Sequence, residues 1–177
     1  MKSYLYTPME LALIIQLHHM DSKRYIELLH NIHRHDNIFI QPEYRRDEKG
    51  FILTVMDKLN YLSDQDTYVS EQSEIEKDMN DFGLKNDNIS NDTDQIFSPF
   101  IFKELRIRSL YINQKGIARM KLRTLLSKLG YKKRSKKIIR DIYDCLLFYH
   151  IETSLKGNIP CSVETVDIDD MLTFKTV

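Results

Sequence analysis

Apolar residues recur at helical spacing from the first turns of the chain. Thr7-Pro8-Met9-Glu10 supplies an N-cap, a proline at the first helical position and an acid three residues after the cap, and Leu11, Ile14, Ile15 and Leu17 follow. This pattern predicts a helix over 8–20. Asp21 or Ser22 caps a second, in which Tyr25, Ile26, Leu28, Leu29 and Ile32 share a face, and the two are expected to pair as an antiparallel hairpin. The stretch NIFIQPEYRRDEKG reads as a short extended segment and a polar turn around Pro42 and Gly50. Phe51, Ile52, Val55, Met56, Leu59 and Leu62 mark a third helix, and Ile75, Met79 and Phe82 a fourth that stops at Gly83.

Residues 84–98, LKNDNISNDTDQIFS, carry too few apolar side chains to offset the entropy of ordering, and read as a flexible acidic linker. Beyond it FIFKELRIRSLYI fits a helix or a strand equally well. Met120, Leu122, Leu125, Leu126 and Leu129 define a helix from Gly116 that ends at Gly130, a residue free to adopt the left-handed cap. Ser135 caps the next, lined by Ile138, Ile139, Ile142, Leu146 and Tyr149. IETSLKG and DMLTFKTV then read as two short strands. The expectation is a mainly α protein, with a helical interaction domain over 1–83, a linker over 84–98 and a basic domain over 99–177 that adds a small β-ribbon to its helices.

Charge changes this picture more than composition does. The chain has 177 residues and balances 26 Lys and Arg against 26 Asp and Glu, yet Lys103 to Arg140 holds fourteen cations and only Glu104 as an acid. The compensating acids lie elsewhere, nine of them between Asp66 and Ser98 and seven between Asp141 and Val177. A solvated face normally mixes both signs, so a one-signed block points to a polyanion, an acidic protein face or a membrane surface. No apolar run approaches the roughly 20 residues that span a bilayer, and no cleavable leader is evident, so a cytoplasmic protein without a membrane partner is expected. The acidic linker is further expected to fold back and compete for the basic block.

A helix, a turn at Gly130, a longer helix and a two-stranded ribbon follow one another over Ile117 to Lys175, and in that order the segment resembles the winged helix-turn-helix family. The resemblance implies that the helix after Ser135 is presented to the major groove, with the ribbon near Lys156 as the wing. Independently of the family, Lys132, Lys133, Arg134, Lys136 and Lys137 crowd a helix start, where the macrodipole already disfavours cations. A phosphate reverses that sign, because the free N–H groups and the flanking cations bind the same anion. Ser135 joins them. Arg119, Lys121, Arg123 and Lys128 on the preceding helix are expected to follow neighbouring phosphates, and Arg134, Lys137 and Arg140 to reach base edges. Asp141 and Asp144 are expected to face away. Tyr131 is a core residue of the turn or, on a single strand, a stacking platform.

Other clusters suggest chemistry less strongly. His30, His33, His35 and Asp36 end a helix and invite a metal reading, although helix ends favour His for its charge alone. Arg24 and His30 match an R-x5-H spacing found in one family of helical ribonucleases. Glu43, Asp47 and Glu48 beside Lys49 resemble the carboxylate and lysine set of metal-dependent nucleases. Cys145 and Cys161 lack paired spacing, and Cys145 lies within an apolar run as a core residue. The expected function is therefore non-enzymatic binding of nucleic acid, double-stranded DNA first, by a regulator or nucleoprotein assembly subunit that needs no cofactor and is able to form a homodimer. An adaptor or inhibitor docking on an acidic protein is the alternative, and a helical ribonuclease the third.

Overall fold

A computed structural model describes residues 4–81, 99–113 and 115–177, with the side chains of 65–81 left aside. The expected linker and the stop at Gly83 lie outside the described residues. The protein is mainly α, with six α-helices and a small antiparallel sheet among the described residues. None of these helices is long and apolar enough to cross a membrane. Two compact units make up the chain, Thr7–Asp94 and a second that joins Met1–Tyr6 to Gln95–Val177.

In the unit Thr7–Asp94, helix α1 (Pro8–Leu17) opens with the anticipated capping box. The Glu10 amide donates to Thr7 Oγ1 at 3.2 Å and the Thr7 amide to Glu10 Oε2 at 3.0 Å. Asp21 caps α2 (Ser22–His35) by accepting from the Arg24 amide. The hairpin expected of α1 and α2 gives way to a different partnership: α1 packs chiefly on α3, a single helix over Glu48–Asp81 where two were anticipated. The proposed break is a polar stretch, and polarity alone does not end a helix that lacks proline or glycine. The extended segment is likewise replaced, by two 3-10 turns at Asn37–Phe39 and Pro42–Tyr44.

The second unit begins with α4 (Phe100–Ile107), which resolves the ambiguous segment as a helix, and a wide π turn over Arg108–Ile112. Strand β1 (Ile117–Lys121) was read as the start of a helix. Its residues alternate, with Ala118 and Met120 buried and Arg119 and Lys121 exposed, and it pairs with β4 (Met171–Thr176) from Ile117 opposite Lys175 to Lys121 opposite Met171. Helix α5 (Leu122–Lys128) follows and ends as anticipated at Gly130, whose φ of 83° lets the Tyr131 amide reach back to the Leu126 carbonyl. Helix α6 (Lys136–Phe148) leads into β2 (Ile151–Leu155), the short β3 (Ile159–Pro160) and finally β4. The sheet order is β1-β4-β2-β3, all antiparallel, so the last strand of the chain lies between the first two.

Residues 4–6 complete this second unit from the far end of the sequence. The Tyr149 hydroxyl donates to the Tyr4 carbonyl, the Tyr6 and Tyr149 rings lie parallel with centroids 6.4 Å apart, and Lys103 Nζ donates to the Leu5 carbonyl at 2.7 Å. Lys103, Tyr6 and Tyr149 are wholly buried. An ammonium removed from water needs such a carbonyl, because burying it without a partner costs several kcal/mol, roughly.

Candidate nucleic-acid interface

The fourteen cations of the basic block divide into those the fold consumes and those it displays. Lys103 and Arg106 are buried in α4, the first on the Leu5 carbonyl and the second on the Tyr149 carbonyl at 2.6 Å. Arg108 lies 3.4 Å from the buried carboxylate of Glu104, one turn back on the same helix. Glu104, the lone acid of the block, is thus used internally.

Three expected contact residues also have intramolecular work. Arg123 grips Asp169 through two parallel hydrogen bonds, Nε to Oδ1 at 2.8 Å and Nη2 to Oδ2 at 2.7 Å. That bond, reinforced by the charges of Arg123 and Lys121, holds the Asp169 carboxyl below its ordinary value. Arg134 extends Nη1 to the carbonyls of Val163, Glu164 and Val166, at 3.2, 2.9 and 2.7 Å. It fastens the segment before β4 to the start of α6 while its side chain stays exposed. Ser135 acts as the N-cap of α6, its Oγ accepting from the Ile138 amide at 3.3 Å.

Lys115, Arg119, Lys121, Lys128, Lys132, Lys133, Lys136, Lys137 and Arg140 are all exposed, and none makes an ion pair within 4.0 Å among the described residues. They fall into two sets. Arg119 and Lys121, anticipated on a helix, stand on β1, where Arg119 and Lys115 border a concavity of about 460 Å³ floored by Ile112 and Ile117. The second set surrounds the α5–α6 turn: Lys128 ends α5, Lys132 and Lys133 occupy the turn, and Lys136, Lys137 and Arg140 lie on the first two turns of α6. At 3.6 residues per turn, the exposed positions 136, 137, 140, 143, 144, 147 and 148 form one stripe, while Ile138, Ile139, Ile142, Cys145 and Leu146 face the core. Lys156 is exposed in the turn between β2 and β3.

The acids of α6 correct another expectation. Asp141 is buried at the margin of the core, but Asp144 lies on the exposed stripe with the cations. Charge counting could not separate them, whereas helical phase does, since Asp144 is one turn from Arg140 and Asp141 is beside Ile142. The same stripe ends in apolar residues: Leu147 is 81% exposed, and Tyr143 and Phe148 are exposed beside it. The Tyr143 hydroxyl is hydrogen-bonded to Ser162, so the segment after β3 borders this helix. Tyr131 is half-buried.

The clusters in the other unit are occupied structurally. His30 Nδ1 lies 2.8 Å from Glu48 Oε1, His33 Nε2 meets the Tyr44 carbonyl at 3.1 Å, and Asp36 is buried. Asp47 caps α3 by accepting from the Gly50 amide at 2.8 Å. Among the described residues no group of three or more His, Cys, Asp or Glu could hold a metal ion. Cys145 is wholly buried, and burial raises the Cys161 thiol above its ordinary value. Comparison of the chain with protein-family models, curated proteins and solved structures finds no match.

Proposed function

We propose that this protein binds nucleic acid, duplex DNA in the first place, through the exposed stripe of α6 and the turn that precedes it, and that it acts without catalysis as a regulator or nucleoprotein assembly subunit in the cytoplasm. One observation carries the reading: Lys132, Lys133, Lys136 and Lys137 stand exposed at the positive end of a helix with no carboxylate within 4.0 Å among the described residues. The fold gains nothing from four cations there, because they repel one another and the dipole. Phosphates would turn each of those costs into an attraction. The order α4, β1, α5, α6, β2, β4, with β4 between β1 and β2, supports a winged-helix arrangement in which α6 enters the groove and the segment between β2 and β4 serves as the wing.

Titration of the full chain with duplex DNA, duplex RNA and single strands over a range of salt tests this. With about five phosphate contacts, log affinity falls against log salt with a slope near −4 to −5. Replacing Lys132, Lys133, Lys136 and Lys137 by Ala weakens binding and flattens the slope while leaving the fold intact. Salt-insensitive or absent binding would remove the proposal. A second reading, docking on an acidic protein, is favoured by the exposure of Leu147 and Phe148 on the same stripe, since phosphates offer such residues nothing.

A further inference from the structure

Arg140 and Asp144 are one helical turn apart on α6, both exposed and opposite in charge, yet they form no ion pair within 4.0 Å among the described residues. The order is the weaker one for pairing, with the cation N-terminal to the acid. Each side chain therefore remains available on a surface whose other charges, Lys136 and Lys137, are positive. A carboxylate there needs its own account, because it repels phosphate and weakens any binding that depends on the backbone alone. Other candidates have intramolecular contacts, Arg134 through Nη1 to three carbonyls and Ser135 as the cap of α6, whereas Arg140 makes no ion pair among the described residues.

We infer that this stripe reads G·C pairs in the major groove, Arg140 donating to guanine O6 and N7 and Asp144 accepting from a cytosine amino group within the next one or two base pairs. The inference rests on the proposed binding of duplex DNA through α6. Its chemistry follows from what each base displays. Guanine offers two acceptors that fit the guanidinium fork, and cytosine is the base whose major-groove edge offers a donor without an adjacent acceptor, which suits a carboxylate. Four residues of helix rise about 6 Å, against about 3.4 Å per base pair, so the two contacts fall about two base pairs apart. Lys136 and Lys137, at the helix start, are left for phosphates.

The test is selection from a random duplex library by the full-length protein, its Arg140→Ala variant and its Asp144→Asn variant, with affinities then measured on one G·C-containing selected duplex and one A·T-only duplex at fixed salt. The wild type should enrich G·C pairs about two base pairs apart and prefer the selected duplex by roughly ten- to hundred-fold. Arg140→Ala should lose affinity mainly for the selected duplex. Asp144→Asn should bind the A·T-only duplex more tightly while losing the cytosine preference, a gain that damage to the fold would not produce. Tight binding with no sequence enriched, or an Asp144→Asn variant with unchanged affinity and preference, overturns the inference and leaves backbone binding intact. Failure to bind any duplex at low salt overturns the underlying reading, and the inference with it.

Discussion

Arg123 and Asp169 hold each other through two parallel hydrogen bonds of 2.8 and 2.7 Å, across 46 positions of sequence, and so draw the acidic segment before β4 onto the start of α5. The backbone agrees with them, since the Arg123 amide donates to the Ile168 carbonyl at 2.8 Å and the Leu122 amide to that of Asp170. Asp169 is held below its ordinary value of 3.8, chiefly by the hydrogen bond from Arg123. A depressed carboxyl contributes stability that is present above its unfolded value and lost as pH falls through the folded one. Acidification from about pH 4 downward should therefore loosen residues 161–170, seen as lower amide protection factors there. Asp169→Asn should exchange faster at neutral pH and lose that acid dependence.

Arg134 predicts a separable effect. Its Nη1 serves three carbonyls, at Val163, Glu164 and Val166, and hydrogen bonds to a charged group contribute about 1.5–3 kcal/mol each at best, less at an exposed site. Arg134→Ala should lower stability in denaturant titration by about 1–2 kcal/mol. Arg134→Lys should recover part of that loss, because all three bonds come from the single nitrogen Nη1 and an ammonium also carries several donors on one nitrogen.

Tyr149 links residues 4–6 to the second unit. Tyr149→Phe removes the hydrogen bond to the Tyr4 carbonyl and should cost about 1 kcal/mol. Tyr149→Ala empties a wholly buried site and should cost about 3–5 kcal/mol, measured by thermal unfolding.

Asp47 and Glu48 were candidates for nuclease chemistry, and their geometry predicts stability effects instead. Asp47→Ala should lose about 1 kcal/mol through the missing cap on α3. Glu48 is held below its ordinary 4.5, first by its hydrogen bond with His30. The stability it lends the unit Thr7–Asp94 is present above that value and disappears as pH falls through the lowered one. Glu48→Gln should erase this acid-side dependence in urea titrations that follow the unit.

The starts of α1 and α6 and the end of α5 were legible because each depends on neighbours in sequence: Thr7 with Glu10, Ser135 with Ile138, and Gly130 at its left-handed φ. Strand β1 was not, because IARMK is too short for its alternation to outweigh the leucines that follow, and it becomes a strand by pairing with residues 171–175, fifty or more positions away. The same limit applies to the basic block. Sequence supplies the charge of Lys103, Arg106, Arg123 and Arg134, but their partners are Leu5, Tyr149, Asp169 and the carbonyls of 163–166, and only folding brings these within reach. What remains displayed on α6 is smaller than the count suggested and more sharply placed.

Because Met1–Tyr6 belongs with Gln95–Val177, the unit Thr7–Asp94 is in effect an insertion within a discontinuous module. Tyr4 and Tyr149 lie 145 positions apart, so the whole intervening unit is synthesised before Tyr149 is available to receive Tyr4. Such distant closure is entropically slow. The intervening unit is thus able to mature during synthesis, before the discontinuous module can close. A permuted gene that places the first six codons directly ahead of codon 95 should accelerate that last step.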